Sequence, residues 1–309
     1  MKTATKRIGF ISIQQAQGVF ADGYEVSPLR TGGEQVIAHR TNDLFATAAQ
    51  YDDGEVVKVD KHAIHVRYGN GEDVRVELGR RFGRAAGVVY PHDVVTDLKV
   101  GDKLKRGDTI AYNRKFFAPD TFNPGGVAWK AGVMARTALI DNIDTLEDGS
   151  TISADMAVKL NTQTTEVRTV EVRFDQSIHG LVKEGEHVDL ETILCTIEDP
   201  ETADNPLFDE TSMDTLRRMS AMTPRSKVTG TVRRVEVYYH GEFEDLSESL
   251  QGLATESDRK RKRRARALGK PAFDGQVDTS FRIRGRALDP DSLAIQIYID
   301  HNVPAGVGD

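Results

Sequence analysis

Leu98-Lys99-Val100-Gly101-Asp102-Lys103-Leu104-Lys105-Arg106-Gly107-Asp108-Thr109-Ile110 has a counterpart further along the chain in Leu181-Val182-Lys183-Glu184-Gly185-Glu186-His187-Val188-Asp189-Leu190-Glu191-Thr192-Ile193-Leu194. Each stretch predicts a turn between two short strands. Gly101 and Gly185 supply the positive φ that such a turn needs, and in each case an acid and then apolar residues follow. Around the two stretches, short alternating apolar runs predict strands at Val56–Val59, Ile64–Tyr68, Val170–Phe174, Val232–Tyr239 and Leu293–Ile299. Helices are expected over Thr211 to Met222, with Met/Leu spacing, and over Leu246 to Leu268, rich in alanine and cations. Pro124-Gly125-Gly126 and Asp199 to Pro206 read as connections.

The predicted class is therefore mainly β with some α, multi-domain, with the helices peripheral. The repeated turn is either the hairpin grammar of barrel-sandwich hybrid folds, giving β-barrels, or the ordinary likeness of two hairpins. Biotinyl and lipoyl carrier domains share that grammar. They require a modifiable lysine at an exposed hairpin tip beside methionine or flanked by acids, and no lysine of this sequence has that setting.

With 309 residues the chain can bury several cores. No apolar run approaches the roughly 20 residues of a membrane-spanning helix, and the apolar stretch after the basic start, Ile8 to Ile13, is too short for a signal-peptide core. Cys195 is the single cysteine, so no internal disulfide or zinc-ribbon cluster can form, and a reducing, cytoplasmic location is expected. The net charge of −7 argues against a general cationic coat, but Arg259-Lys260-Arg261-Lys262-Arg263-Arg264, continued by Arg266 and Lys270, is a local exception. That run is either a solvated face or a phosphate contact. His62, His65 and His92 lack the nucleophile or ligand spacing that a hydrolase would need.

The order of further segments resembles the second-largest, β-type subunit of multisubunit DNA-directed RNA polymerases, and most closely the split β subunits of large bacteriophages. Thr31-Gly32-Gly33-Glu34 is similar to the family's Thr-Gly-x-Glu element, and Ala38-His39-Arg40-Thr41-Asn42-Asp43 stands where the family has Ala-x-Arg-Asp. Gly54-Glu55-Val56 resembles its Gly-x-Val strand, and Val100 to Ala111 its Val-x-x-Gly-Asp-x-Leu-Ala block. Leu146-Glu147-Asp148-Gly149-Ser150-Thr151-Ile152-Ser153 is similar to the element with an acidic pair beside the incoming nucleotide; Leu146 and Gly149 depart from its pattern. Leu181 to Asp199 and Pro224 to Val237 look like the flap, and Ala294 to Ile299 with Val307-Gly308-Asp309 resembles the strand leading into a Val-Gly-Asp-Lys block. The family's nucleotide-contacting lysines would follow, so the chain is read as a piece of such a subunit that cannot be a complete polymerase.

The resemblance implies a hybrid-binding, central β-barrel part over 1–158, a flap- or wall-like module over 159–245, a basic helical connection over 246–270 and return strands over 271–309. It implies nucleotidyl transfer only within an assembled complex. There, Glu147 and Asp148 stand near the nucleotide and second metal in a supporting role, and Arg30, Arg40, Lys105, Arg106, Arg114 and Lys115 contact the RNA–DNA hybrid. The Mg²⁺ would be held mainly by a β′-type partner, since no Asp-x-Asp-x-Asp occurs here and no metal is held by this chain alone. The implied partners are the rest of β, the β′-type chain, DNA template, RNA transcript and nucleoside triphosphates, without a membrane, in a bacterial host cytoplasm or a virion. Trp129, Phe116, Phe117 and Phe122 are candidates for base stacking or for core packing. The competing reading is a non-enzymatic, β-rich nucleic-acid-binding or virion structural protein.

Overall fold

A computed structural model describes residues 22–26, 28–40, 43–85, 87–130, 132–138, 151–200, 221–283 and 285–306. Their contacts divide them into two units, one running up to Thr164 and including Asn302 onward, the other Thr165–His301. The chain is mainly β, in several antiparallel sheets.

The first unit contains helix α1 (Gly33–Arg40) and strands β1 (Ala46–Ala48), β2 (Gly54–Val59), β3 (Ala63–Arg67), β4 (Asp73–Glu77), β5 (Gly79–Ala85), β6 (Val88–Val95), β7 (Lys103–Leu104), β8 (Thr109–Asn113), β9 (Phe117–Pro119) and β10 (Val127–Trp129), followed by the short helix α2 (Ala154–Lys159). One sheet has the order β4-β3-β2-β7; β1, β8, β6 and β5 pair in turn in another; β9 and β10 form a hairpin. Val56, Ile64, Val66, Leu104 and Ile110 alternate inward from their strands and form one core with Tyr68.

Lys99 to Asp102 forms a turn with Gly101 at φ 93°. The Asp102 amide donates to the Lys99 carbonyl at 3.1 Å, and the Lys99 amide donates to the Asp102 carboxylate at 2.7 Å. The turn then docks as a unit on strand β2: the Gly101 amide donates to the Val56 carbonyl (2.8 Å), and the Val56 amide to the Asp102 carbonyl (2.9 Å). Six residues on, Lys105 to Asp108 repeats the device, with Gly107 at φ 93° and the same exchange made with Ala49.

The second unit holds most of β11 (Asn161–Arg173) and of β18 (Ser292–Pro304), with β12 (Ser177–His179), β13 (His187–Val188), β14 (Thr196–Glu198), β15 (Gly230–His240), the small hairpin β16 (Arg282–Ile283) and β17 (Arg286–Ala287), and helix α3 (Glu248–Leu268). Its main sheet has the order β11-β18-β15-β13. Leu250 and Ala254 of α3 lie in its core with Val188, Leu194, Val232, Ile297 and Ile299. The likeness of the two quoted stretches extends to their hydrogen bonds. Gly185 has φ 95°, the Lys183 amide donates to the Glu186 carboxylate at 2.9 Å, and Gly185 and Glu186 exchange amide and carbonyl with Val232 at 2.7 and 2.9 Å.

The correspondence continues beyond the turns. Gly54 pairs with Leu104 as Gly230 pairs with Val188. The ladder is irregular between Val56 and Lys58, and again between Val232 and Arg234. Across it, Val56 faces Val66 and Val59 faces Ile64, as Val232 faces Ile299 and Val235 faces Ile297. Tyr112 pairs with Val95 as Thr196 pairs with His179. The first unit places these parts in the order β1, β2, β3, β4, turn-bearing segment. The second begins with the counterparts of the last two and follows with residues 222–226, β15 and β18. The two units thus share one arrangement in circularly permuted chain order.

Among the described residues the sheets remain open, whereas barrels were expected. Closure requires ladders that continue around the sheet. Here β7 and β13 have two residues each and lead directly into turns, so their ladders with β2 and β15 are two pairs long. Residues 211–220 of one expected helix lie outside the described residues, and Met222 forms an isolated bridge with Ile197.

Because a side chain is strained at these φ values, Gly101→Ala and Gly185→Ala should each destabilise their unit by about 1–2 kcal/mol. Lower urea midpoints with unchanged m values would show this; unchanged midpoints would mean that the turns do not hold the sheets.

Candidate nucleic-acid interface

The β9–β10 hairpin and the end of β8 carry most of the candidate contacts. At the hairpin tip, Phe122 is 83% exposed, and the Arg30 guanidinium lies 5.9 Å from its ring centroid and 3.6 Å from the Asp120 carboxylate. The Thr109 amide donates to the Gly125 carbonyl at 2.7 Å, tying the tip loop to the turn that carries Lys105 and Arg106. Both of those side chains are exposed. The α1 helix is fastened to the same hairpin by Gln35 Nε2 donating to the Val127 carbonyl at 2.9 Å, and its last residue is exposed Arg40.

Arg114 and Lys115 lie at the opposite end of β8 from Lys105 and Arg106, so the six cations do not form one cluster. Lys115 is anchored from two sides. Its amide donates to Asn113 Oδ1 (3.0 Å), and its ammonium to Asp22 Oδ2 (3.0 Å). Asp22 also accepts from the Thr162 hydroxyl at 3.0 Å and the Gln163 amide at 3.2 Å. At the hairpin base, the Lys130 amide donates to the Phe116 carbonyl at 2.8 Å. Burial and the nearby Arg114 guanidinium hold the Lys130 ammonium below its ordinary pKa. Lys130 therefore adds a third cation at this end. No motif marked it; the one local signal is its place after half-exposed Trp129.

The aromatic candidates separate by burial. Phe117 is core, and Phe116 packs on Phe45 at a centroid distance of 5.3 Å; Phe122 and Trp129 are the two with exposed ring surface. The arrangement can therefore bind phosphates through cations at both ends of β8 and stack bases at the exposed rings. The acidic pair Glu147 and Asp148 lies outside the described residues.

His92 supports this site from beneath. Its Nδ1 lies 2.8 Å from Asn113 Nδ2, which also donates to the Leu44 carbonyl at 3.1 Å. With Asn113 thus oriented, Nδ1 must accept and the ring must be neutral. Burial, with Lys115 and Arg81 opposed only in part by Asp22 and Asp93, depresses the His92 pKa to about 4. Gly83 is required beside it, since a Cβ there would stand 2.7 Å from His92 Nε2. Among the described residues no group of three or more His, Cys, Asp or Glu could hold a metal ion, and no helix is long and apolar enough to cross a membrane. Cys195 is buried, which pushes its thiol pKa up to about 12.

No protein-family model matches the chain, and no curated protein matches it.

Because folding depresses the pKa of His92, the unfolded chain takes up its proton first. Stability is then lost as pH falls from about 6.5 toward about 4, by on the order of 3 kcal/mol at 1.36 kcal/mol per unit. His92→Gln should reduce the loss between those pH values in urea titrations, compared with the unsubstituted chain. An identical loss in both would remove His92 as its cause.

Proposed function

We propose that this chain is part of the β-type subunit of a multisubunit DNA-dependent RNA polymerase and helps to form the wall of the active centre and the RNA–DNA hybrid channel. The observation that carries the reading is the shared arrangement of the two units. The stretches with family-like motifs, Val100 to Ala111 in one and Leu181 to Asp199 with Pro224 to Val237 in the other, are those built on the docked glycine turn. The placement of Arg114, Lys115 and Lys130 beside a half-exposed tryptophan adds support, because such a surface positions a nucleic-acid backbone without reading its sequence.

On this reading the chemistry is attack of an RNA 3′ hydroxyl on the α-phosphate of a nucleoside triphosphate. Mg²⁺, held mainly by the aspartates of a β′-type partner, supplies charge stabilisation when bound. Lys105, Arg106, Arg114 and Lys115, with Arg30 and Arg40, would contact hybrid phosphates. Glu147 and Asp148 would stand near the incoming nucleotide in a supporting role. A non-catalytic nucleic-acid-binding or virion structural role is the second reading, favoured by the exposed cations and rings, which require no catalytic partner.

Purification of the tagged chain from its native context, followed by Mg²⁺-dependent nucleotide incorporation on the eluate, separates the two. The polymerase reading expects co-purification with a chain bearing Asp-x-Asp-x-Asp. It also expects activity reduced at least about tenfold by Glu147→Ala with Asp148→Ala, or by Arg114→Ala with Lys115→Ala. A lone, inactive chain that retains nucleic-acid binding would establish the second reading instead.

A further inference from the structure

The basic run Arg259 to Arg266 is sorted by helix α3 into two sets with different roles. Leu250, Ala254 and Ser257 mark the buried face of the helix, and Arg261 continues it. The Arg261 guanidinium donates to Asp258 Oδ1 at 2.5 Å and to the Val237 carbonyl at 3.0 Å, and lies 4.9 Å from the Tyr238 ring centroid and 5.2 Å from that of Phe273. At the edge of this face, Lys260 pairs with Glu256 at 3.0 Å and Glu184 at 3.3 Å, and Arg264 lies 3.9 Å from Glu236. These three cations are satisfied within the unit and hold the helix to its sheet.

Arg259, Lys262, Arg263 and Arg266 differ. At roughly 100° per residue they fall on the side of the helix opposite the buried face, and all four are exposed. None makes an ion pair or a side-chain hydrogen bond with a described residue. Lys270, exposed just beyond the αL cap at Gly269, extends the same end. On the N-terminal side the stripe continues through Gly252 and Thr255, small residues that leave room for a partner. Four like charges over about 10 Å of helix repel one another. Favourable placement at a helix C-terminus offsets only part of that repulsion.

We propose that this stripe is a docking surface for the phosphate backbone of a nucleic acid. Charge complementarity selects a polyanion, and a nucleic-acid backbone supplies one negative charge per nucleotide in an unbroken row. A lipid surface is disfavoured because an interfacial helix must insert an apolar face, and α3 exposes none: Leu250, Leu253 and Ala254 are engaged in the core of the unit, and Ala265, Ala267 and Leu268 are half-buried. The inference is independent of the polymerase reading, since it requires only this chain.

The test is fluorescence anisotropy of the full chain with a labelled 20-nucleotide single strand and the corresponding duplex, at several salt concentrations. The quadruple variant Arg259→Ala, Lys262→Ala, Arg263→Ala, Arg266→Ala should bind at least about tenfold more weakly. Its slope of log affinity against log salt should be shallower by about 0.7 for each lost contact with a single strand, or about 0.9 with a duplex. The triple variant Arg259→Lys, Arg263→Lys, Arg266→Lys keeps the charge and should keep the slope. Thermal unfolding of both variants separates lost binding from lost folding, and a misfolded quadruple variant would be replaced by Lys262→Ala with Arg263→Ala, expected to show about half the slope change. Wild-type affinity and slope in a folded variant would overturn the proposal. So would stripe-dependent binding to phosphatidylserine vesicles with none to either nucleic acid.

Discussion

Val56 gives both of its backbone hydrogen-bonding groups to a turn rather than to a strand, and Val232 does the same. A β-strand ordinarily satisfies its amides and carbonyls along a ladder, and an unpaired group in a core costs as much as a lost hydrogen bond. In this chain the ladder stops after two residues, and a glycine turn closed by an acidic side chain provides the next amide and carbonyl. The valine side chain can then be fully buried without leaving an orphaned group. Both open sheets depend on this substitution of turn for strand.

The device also accounts for the tolerance of the arrangement to chain order. The contacts are made between a short turn-bearing segment and a strand, and neither end of either segment is constrained by the pairing. Connecting them in a different order leaves the hydrogen bonds unchanged, and the permuted second unit uses the freedom to place helix α3 after β15, where Ser257 Oγ accepts from the Val237 amide at 3.1 Å. Corresponding positions remain apolar in both: Val56 and Val232, Ile64 and Ile297, Leu104 and Val188, Ile110 and Leu194 are all buried.

Charge is distributed by the same logic of local satisfaction. Arg261 and Arg263 are two residues apart, yet one is enclosed by two aromatic rings and a carboxylate while the other faces solvent. In the first unit Lys115 is held by Asp22, and Arg114 beside it is exposed. A run of cations in the sequence is therefore not one feature, and its members divide according to which side of an element meets the core.

Alternation of apolar residues, a glycine followed by an acid and then apolar residues, and the alanine- and cation-rich stretch were enough to place the strands at Val56, Ile64, Val170, Val232 and Leu293, the two like turns and the helix now bounded as Glu248–Leu268. These are local properties, set by residue period and by the φ that glycine allows. Which aromatic rings are buried, the addition of Lys130 to Arg114 and Lys115, the neutral state of His92 and the division of the basic run were decided by tertiary structure. Each depends on atoms brought together from distant parts of the chain, as with Asp22 at Lys115 or Phe273 at Arg261. The open sheets have the same origin, because the length of a ladder depends on where its partner strand turns away, and no single stretch of sequence carries that information.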